Sequence, residues 1–195
     1  MVSRPIGMRD TRYGGLPVEE LQERARRVRL VLSDCDGVLT DGTVYVTEHG
    51  EAMKRFSLRD GMGVELLRLA GIETAVVTRE RSPIVARRAE KLGLAVFDGV
   101  KDKAAELPRL VTATGCERNA LAYIGDDVND LGIIDQVGKL GLTAAPFDAA
   151  TPVARAVHHL CRAGGGEGAF REFADWILRL RAGETEEDRS KGGRA

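Results

Sequence analysis

Residues 28–42, VRLVLSDCDGVLTDG, contain the strongest structural signal of the chain. A nearly continuous apolar run ends in two aspartates one residue apart, Asp34 and Asp36, and Gly37 follows them. An apolar run of this length predicts a strand buried on both faces, as in parallel α/β sheets. Ligands of such sheets bind beyond the carboxyl ends of the strands, which is where both aspartates would lie.

The two aspartates predict a site for a divalent metal and a phosphate ester. Because side chains alternate along an extended chain, Asp34 and Asp36 point the same way and Cys35 points to the other face. Two neighbouring carboxylates repel each other, and a divalent cation would offset their charge. One carboxylate could then attack the ester while the other transfers a proton. Taken alone, the motif would favour a solvated Asp-rich turn.

The composition favours an ordinary globular protein. The chain has 195 residues, with 30% charged and 43% hydrophobic, which suffices for one domain with a sizeable core. The formal net charge of −1 gives no indication of a nucleic-acid or membrane partner. The three widely spaced cysteines fit a reducing compartment, and no apolar stretch approaches the ~20 residues of a membrane span. We therefore expect a cytoplasmic protein.

Strand and helix signals alternate along the chain and predict a doubly wound parallel sheet with helices on both faces. The predicted strands after the first are 72–77, 94–97, 121–124, 141–145 and 157–160. The predicted helices are 17–27, 64–70, 83–92, 102–113, 129–137 and a last one from Phe170. Residues 43–46 and 52–56 predict a β-hairpin that projects from the sheet edge. We expect one domain over 17–182, a loose arm over 1–16 and a disordered tail over 183–195.

Further polar side chains follow other predicted strands or begin a helix. Thr78 follows the strand at 72–77, Lys103 begins a helix, and Asp126 and Asp127 come after the strand at 121–124. Because the carboxyl ends of parallel strands share one edge, we expect these groups near Asp34. Phosphoryl transfer needs a nucleophile, a metal, groups that hold the phosphate and a proton donor. Together with Asp34 and Asp36, these residues supply a nucleophile, ligands for a metal, groups that hold the phosphate and a proton donor.

Each feature also has a plainer interpretation. Thr78 alone favours a helix N-cap, and Lys103 alone favours a solvated helix residue. The glycine-rich residues 164–168 are either a flexible entrance to the last helix or a loop that, with Arg171, binds an anion across a subunit boundary. His159 is expected on a strand without an acidic or cysteine neighbour.

The motifs, in this order, resemble those of haloacid-dehalogenase-superfamily phosphatases. They are residues 34–40 (DCDGVLT), Thr78, Lys103 and residues 125–130 (GDDVND). The resemblance covers roughly residues 28–180 and implies a Rossmann-like core and hydrolysis through an aspartyl-phosphate. By this resemblance Asp34 would attack phosphorus, and Asp36 would protonate the leaving alcohol and then activate water.

The same resemblance implies a Mg²⁺ cofactor. Its implied ligands are the Asp34 carboxylate, the backbone carbonyl of Asp36 and the Asp126 carboxylate. Thr78 and Lys103 would bind the phosphoryl oxygens. Asp127 and Asp130 would orient the metal's surroundings and Lys103. A hard cation that prefers oxygen ligands agrees with this set.

The resemblance is most specific to capless phosphatases of the 3-deoxy-D-manno-octulosonate 8-phosphate type. Only the hairpin and a short helix-strand segment occupy the positions where related enzymes carry a cap domain. The supporting stretches are residues 36–42 (DGVLTDG), 59–63 (RDGMG) and 164–172 (GGGEGAFRE). This type implies a homo-tetramer in which hairpins and C-terminal segments close a neighbour's active site. An exposed hairpin edge also favours oligomerisation.

The second motif departs from the usual Thr/Ser-Gly-Arg pattern, since it reads Thr78-Arg79-Glu80-Arg81. An acid at the third position resembles phosphatases of nine-carbon keto-deoxy sugar acids, 2-keto-3-deoxynononate or N-acylneuraminate 9-phosphate. The substrate is thus expected to be a phosphorylated sugar acid of eight or nine carbons. The candidate substrate-binding residues are Gly37, Arg59, Arg79, Glu80, Arg81 and Arg171.

Two other functions compete with this one. Some sialic acid cytidylyltransferases carry a similar domain whose role is assembly, and such domains tend to lose catalytic acids. A broad small-molecule phosphatase is the other alternative. Asp34, Asp36, Lys103 and Asp126 are all present, which favours an enzyme.

Overall fold

The computed structural model describes residues 12–13 and 15–184. Its strands are β1 (Arg12–Tyr13), β2 (Leu16–Pro17), β3 (Leu30–Ser33), β4 (Thr40–Thr47), β5 (Gly50–Phe56), β6 (Glu73–Val77), β7 (Ala95–Phe97), β8 (Leu121–Ile124), β9 (Leu142–Ala145) and β10 (His159–Leu160). Its helices are α1 (Val18–Arg27), α2 (Leu58–Leu69), α3 (Pro83–Leu92), α4 (Lys103–Thr114), α5 (Leu131–Gly138), α6 (Thr151–Ala156) and α7 (Ala169–Ala182). The expected arm over 1–16 and tail over 183–195 lie largely outside the described residues, so the limits of the domain stay predictions.

The predicted doubly wound parallel sheet is confirmed. Six strands run in the order β10-β9-β8-β3-β6-β7, and every pair among them is parallel. All four residues of β3 are buried, as the apolar run predicts for a central strand covered on both sides. β3 lies between β6 and β8, so the motif residues that follow these three strands come from adjacent positions in the sheet.

Two apolar clusters cover the two faces of this sheet. Val31 packs in a cluster that includes residues of α1, α2 and α7, whereas Leu30 and Leu32 pack in one that includes residues of α4 and α5. Neighbouring residues of β3 therefore face opposite layers, which follows from the alternation of side chains along a strand. None of the helices within 15–184 has the length and apolar character that a transmembrane span requires.

The predicted hairpin is confirmed and is longer than expected. β4 and β5 pair antiparallel and form a two-stranded sheet of their own. Most of its residues are exposed, including the large apolar side chains of Tyr45, Val46 and Met53. Tyr45 pairs with Met53, but Val46 pairs with Glu51, so Ala52 is an extra residue in β5. This is a β-bulge, and it shifts the alternation of faces along the strand.

Three local predictions are wrong. Residues 59–63, expected to lead into a helix, already lie inside α2, because Ser57 caps it by accepting a hydrogen bond from the backbone N–H of Arg59 at 3.1 Å. Leu69, expected in the apolar stripe of this helix, is 79% exposed. Helix α6 was not expected, since six residues are too few to display a helical period.

Candidate active site

Three functional side chains follow three adjacent strands. Asp34 comes directly after β3, Thr78 directly after β6, and Asp126 two residues beyond the end of β8. The backbone N–H of Asp34 donates to the carbonyl of Ile124 at 2.9 Å, which extends the β3–β8 pairing to the first aspartate. The carboxyl edge of the sheet thus gathers the motifs, as the parallel topology requires.

The Asp34 carboxylate is buried and held from two sides. Its Oδ1 accepts a hydrogen bond from the backbone N–H of Cys35 at 2.7 Å, and its Oδ2 lies 2.7 Å from Nζ of Lys103. Cys35 is fully buried in the apolar core, as predicted for the reverse face. The carboxylate therefore has one fixed orientation at the end of β3.

Lys103 connects the fourth motif to the first. Its side chain is 1% exposed, so the interpretation of a solvated lysine is wrong. Its Nζ lies 2.7 Å from Oδ1 of Asp130 and 3.2 Å from the hydroxyl of Tyr123. Burial lowers the pKa of Lys103, but the charges of Asp34 and Asp130 outweigh it and raise the pKa, so the ammonium group stays charged.

Tyr123 belongs to this network, although the sequence analysis missed it. Its hydroxyl donates to Oδ1 of Asp130 at 2.7 Å from a fully buried position in β8. The available signal is a polar hydroxyl in an otherwise apolar central strand, because a buried tyrosine hydroxyl needs a partner.

Asp130 and Asp127 shape the loop after β8. Oδ2 of Asp130 accepts from the backbone N–H groups of Asp126 at 2.9 Å and Asp127 at 3.3 Å. The exposed Asp127 accepts from the backbone N–H of Val128 and caps the 3₁₀ turn that precedes α5. Asp130 thus orients both Lys103 and the backbone of Asp126.

Three acidic groups of this site lie close enough together to hold a metal ion. Carboxylate oxygens of Asp34, Asp126 and Asp130 lie within 4.8 Å of one another. Burial raises the pKa of Asp34 to about 7; the charge of Lys103 opposes this rise, and the charge of Asp130 adds to it. Burial and the charges of Asp34 and Asp130 raise the pKa of Asp126 to about 7 as well. Hard oxygen donors with excess negative charge fit a divalent cation such as Mg²⁺.

Gly37 lets the loop after β3 approach Asp126. A Cβ atom added to it would lie 2.0 Å from Oδ2 of Asp126, and its φ of +84° favours glycine. Gly37 therefore acts by leaving room for the carboxylate.

The Asp36 carboxylate faces the hairpin. Its two oxygens lie 2.8 and 2.9 Å from Nζ of Lys54, and Oδ1 also accepts from the hydroxyl of Thr40 at 3.3 Å. Lys54 was not among the predicted site residues, because nothing in the local pattern of the hairpin separates it from a surface lysine.

Thr78 is 2% exposed, and its hydroxyl accepts a hydrogen bond from the backbone N–H of Glu80 at 3.3 Å. The N-cap position of α3 is Ser82, so the interpretation of Thr78 as a helix cap is wrong. Arg79, Glu80 and Arg81 are exposed on the loop between β6 and α3. Within residues 15–184, no hydrogen bond or ion pair joins these three side chains to Asp34 or Asp36.

Arg171 and the glycine-rich loop contact other parts of the same chain. Nε of Arg171 binds both oxygens of Asp175, at 2.9 and 3.0 Å. The backbone N–H of Gly166 donates to the carbonyl of Val38 at 2.9 Å, so residues 164–168 pack on the loop after β3. Arg59 is exposed in the first turn of α2. Substrate contacts by Arg171 and Arg59 therefore stay predictions.

The expectation that His159 has no acidic neighbour is wrong. Its Nε2 lies 3.8 Å from Oε1 of Glu172, and its ring stacks on Trp176 at a centroid distance of 4.7 Å. Both partners lie on α7, which tertiary packing brings against β10. This pair lies outside the network around Asp34.

No family model matches the chain. It is 36% identical over 170 residues to the 3-deoxy-D-manno-octulosonate 8-phosphate phosphatase of Yersinia pestis, covering 87% of this chain and 89% of that protein. The chain belongs to this phosphatase family. Octulosonate phosphatases are members of the haloacid dehalogenase superfamily and hydrolyse phosphoric monoesters, so the resemblance read from the motifs is confirmed.

Solved octulosonate phosphatases share the fold. The cobalt-bound structure from Haemophilus influenzae has a TM-score of 0.77 and 38% identity, covering 82% of this chain and 92% of that one. The structure from Moraxella catarrhalis has a TM-score of 0.78 and 29% identity, covering 88% and 98%. That protein is in complex with a magnesium ion, a phosphate ion and a KDO molecule.

Proposed function

We propose that this chain is a Mg²⁺-dependent phosphatase that hydrolyses the phosphate ester of 3-deoxy-D-manno-octulosonate 8-phosphate. One observation carries the proposal: a buried lysine, Lys103, binds Asp34 and Asp130 directly beside the third acid, Asp126. A buried nucleophile, a cation for phosphate and an acidic group for a metal then lie at one edge of the sheet. The name of the Yersinia pestis relative supports the substrate.

The reaction proceeds in two steps. An oxygen of Asp34 forms a bond to phosphorus, and the ester oxygen leaves with the electron pair of the broken P–O bond and takes a proton from Asp36. A water molecule then attacks the phosphorus of the aspartyl-phosphate and gives a proton to Asp36, which releases inorganic phosphate and restores Asp34. Thr78 and Lys103 bind the phosphoryl oxygens and offset their charge throughout.

Mg²⁺ would be held by the carboxylates of Asp34 and Asp126 and by the backbone carbonyl of Asp36. The raised pKa values of Asp34 and Asp126, caused first by burial and then by neighbouring carboxylates, agree with this assignment, because a bound cation would stabilise the ionised form of both groups. When bound, the ion supplies positive charge to the phosphoryl oxygens.

The names of the relatives favour the eight-carbon acid over the nine-carbon acids. The argument for nine carbons rests on Glu80, which is exposed on the loop after β6. Gly37, Arg59, Arg79, Glu80, Arg81 and Arg171 remain the candidate substrate-binding residues.

We also propose a homo-tetramer, with a cytoplasmic location as a prediction from composition. The hairpin supports assembly, since Val46 is 69% exposed and Met53 59% exposed on a two-stranded sheet with free edges. Light scattering tests the mass in solution.

The first experiment measures phosphate release in Mg²⁺ and in a chelator, with Asp34→Asn as control. The substrates are octulosonate 8-phosphate, nononate 9-phosphate, N-acylneuraminate 9-phosphate and simple sugar phosphates. We expect a strong preference for the eight-carbon ester that the substitution and the chelator abolish. Similar rates on all esters would indicate a broad phosphatase, and no activity in a folded protein would indicate an assembly module.

A further inference from the structure

A buried lysine of the hairpin holds the aspartate that is proposed to transfer protons. The Lys54 side chain is only 3% exposed, and its Nζ contacts both carboxylate oxygens of Asp36 at 2.8 and 2.9 Å. With Thr40 bound to Oδ1, two of the described side chains restrict the rotation of this carboxylate. The lysine end of this ion pair is closed to water, whereas the Asp36 side chain is 30% exposed on the side away from Lys54 and Thr40.

The bulge in β5 places a second acid on the same side as Lys54. Glu51 and Lys54 are three residues apart, so a regular strand would direct them to opposite faces. Ala52 is the extra residue of the bulge and returns Glu51 to the face of Lys54. Oε1 of Glu51 consequently lies 3.5 Å from Nζ of Lys54.

Glu51 in turn binds the loop of the second motif. Its Oε2 accepts a hydrogen bond from the hydroxyl of Ser82 at 2.6 Å, and Ser82 is buried at the start of α3. The contacts form one chain from Ser82 through Glu51 and Lys54 to Asp36. This chain fixes the inner face of the hairpin between the first and second motifs.

Two acids surround the ammonium group of Lys54. Its Nζ lies 2.8 and 2.9 Å from the two carboxylate oxygens of Asp36 and 3.5 Å from Oε1 of Glu51. The contact with Asp36 is thus a charge-assisted pair, which is shorter and stronger than a neutral hydrogen bond.

We propose that Lys54 is a positioning residue, whose bidentate contact holds the Asp36 carboxyl group where it donates its proton to the leaving oxygen, with Glu51 and Ser82 holding Lys54. This inference rests on the proposed function. Asp36 takes up a proton from solvent on one oxygen before the first step, while Lys54 stays on the other oxygen. That proton passes from Asp36 to the ester oxygen as the P–O bond breaks, and Lys54 neither gains nor loses one. A plain structural role, in which Lys54 only tethers the hairpin, is the competing explanation.

The leaving group separates the two explanations. An alkoxide is strongly basic, so its departure depends on a well-placed acid, whereas p-nitrophenolate leaves with little protonation. A positioned general acid contributes roughly 10²- to 10⁴-fold to a rate. Loss of its positioning should therefore slow an alkyl phosphate far more than p-nitrophenyl phosphate, while loss of a tether should slow both alike.

The test compares Lys54→Met with Arg55→Met in single-turnover experiments, which report the first step alone. Arg55 is a matched control, because it also joins the hairpin to the body, through Glu167 at 3.2 Å, and its other ion pair, with Asp41 at 2.7 Å, lies within the hairpin and does not involve Asp36. We expect Lys54→Met to slow octulosonate 8-phosphate by about 10- to 100-fold and p-nitrophenyl phosphate by less than about threefold. Arg55→Met should change both rates by the same factor, and Lys54→Arg should restore most of the loss.

Equal losses on the two esters in Lys54→Met would overturn the proposal, as would unchanged rates. The Asp36 side chain is 30% exposed, so water can solvate it when Lys54 is removed, and a thermal melt verifies folding. Should Lys54→Met not fold, Glu51→Gln and Ser82→Ala give the same test, with a smaller selective loss as support and an equal loss as refutation. If wild type hydrolyses p-nitrophenyl phosphate but not octulosonate 8-phosphate, the proposed substrate fails, and another primary alkyl phosphate that it hydrolyses tests Lys54.

Discussion

Replacing Asp126 by asparagine should make the metal-free protein more stable at pH 8 and remove its response to Mg²⁺. In the folded chain, burial and the charges of Asp34 and Asp130 raise the pKa of Asp126 from 3.8 to about 7. The folded state therefore binds more protons than the unfolded state between these values. The free energy of unfolding falls as the pH rises from about 4 to about 7, and the penalty is complete above that range.

The pKa shift sets the size of the effect. A rise from 3.8 to about 7 corresponds to roughly 4 kcal/mol, at about 1.4 kcal/mol for each pH unit. This is an upper limit, since Asp126 is partly exposed and its repulsion with Asp34 is shared between the two groups. We expect a gain of about 1 to 3 kcal/mol for Asp126→Asn in a chelator at pH 8. Mg²⁺ at 100 times its dissociation constant should stabilise the wild type by about 2.7 kcal/mol.

The assay is urea unfolding of wild type and Asp126→Asn at pH 5 and pH 8, each with a chelator and with saturating Mg²⁺. Asp135→Asn is the matched control, because this acid on α5 is exposed and pairs with Lys139 at 2.7 Å, outside the acidic cluster of the site. It should keep the Mg²⁺ response of the wild type. Metal-free wild type that is equally stable at both pH values would contradict this prediction, as would an Asp126→Asn variant that still gains stability from Mg²⁺.

Three further substitutions test other contacts. Gly37→Ala should abolish both phosphatase activity and Mg²⁺ stabilisation, because its Cβ would meet Asp126. Gly50→Ala is the control for backbone strain, since Gly50 also has a positive φ but nothing within 4 Å of an added Cβ, and it should keep both properties; an active Gly37→Ala enzyme contradicts this. Burial raises the pKa of Asp60 to about 6, so ionisation of its carboxyl group lowers the free energy of unfolding as the pH rises from about 4 to about 6. Asp60→Asn should remove this pH dependence from the free energy of unfolding measured in urea. Asp60→Ala should lower the free energy of unfolding by about 1 to 3 kcal/mol, because the backbone N–H of Arg171 loses its acceptor. Profiles identical to that of the wild type would contradict both expectations. Tyr123→Phe should lower the free energy of unfolding by roughly 1 kcal/mol, because the hydrogen bonds of its hydroxyl to Lys103 and Asp130 are lost. The variant should reduce kcat more than it raises KM, since Lys103 is held less firmly. An unchanged kcat would show that the hydroxyl is dispensable.

The parallel sheet and the residues that follow its central strands can be predicted from local patterns in the sequence. Apolar runs such as residues 28–33 indicate buried strands, and the polar residues at their ends, Asp34 and Thr78, lie at one edge because the strands are parallel. These are local signals: each depends on a few adjacent residues and on the alternation or period of the backbone. Where the local signal is short or ambiguous, as for α6 and Leu69, the prediction is missing or wrong.

The contacts that support the site come from the packing of distant segments and are not visible in the sequence. Lys54 meets Asp36 across 18 positions of sequence, Lys103 meets Tyr123 across 20, and the backbone of Arg171 meets Asp60 across 111. Each pair joins separate elements, so it depends on how the hairpin, the sheet and the helices pack. The pattern of residues within one segment does not show which residue another segment will place against it. A buried charge meets its partner only when the whole fold has formed.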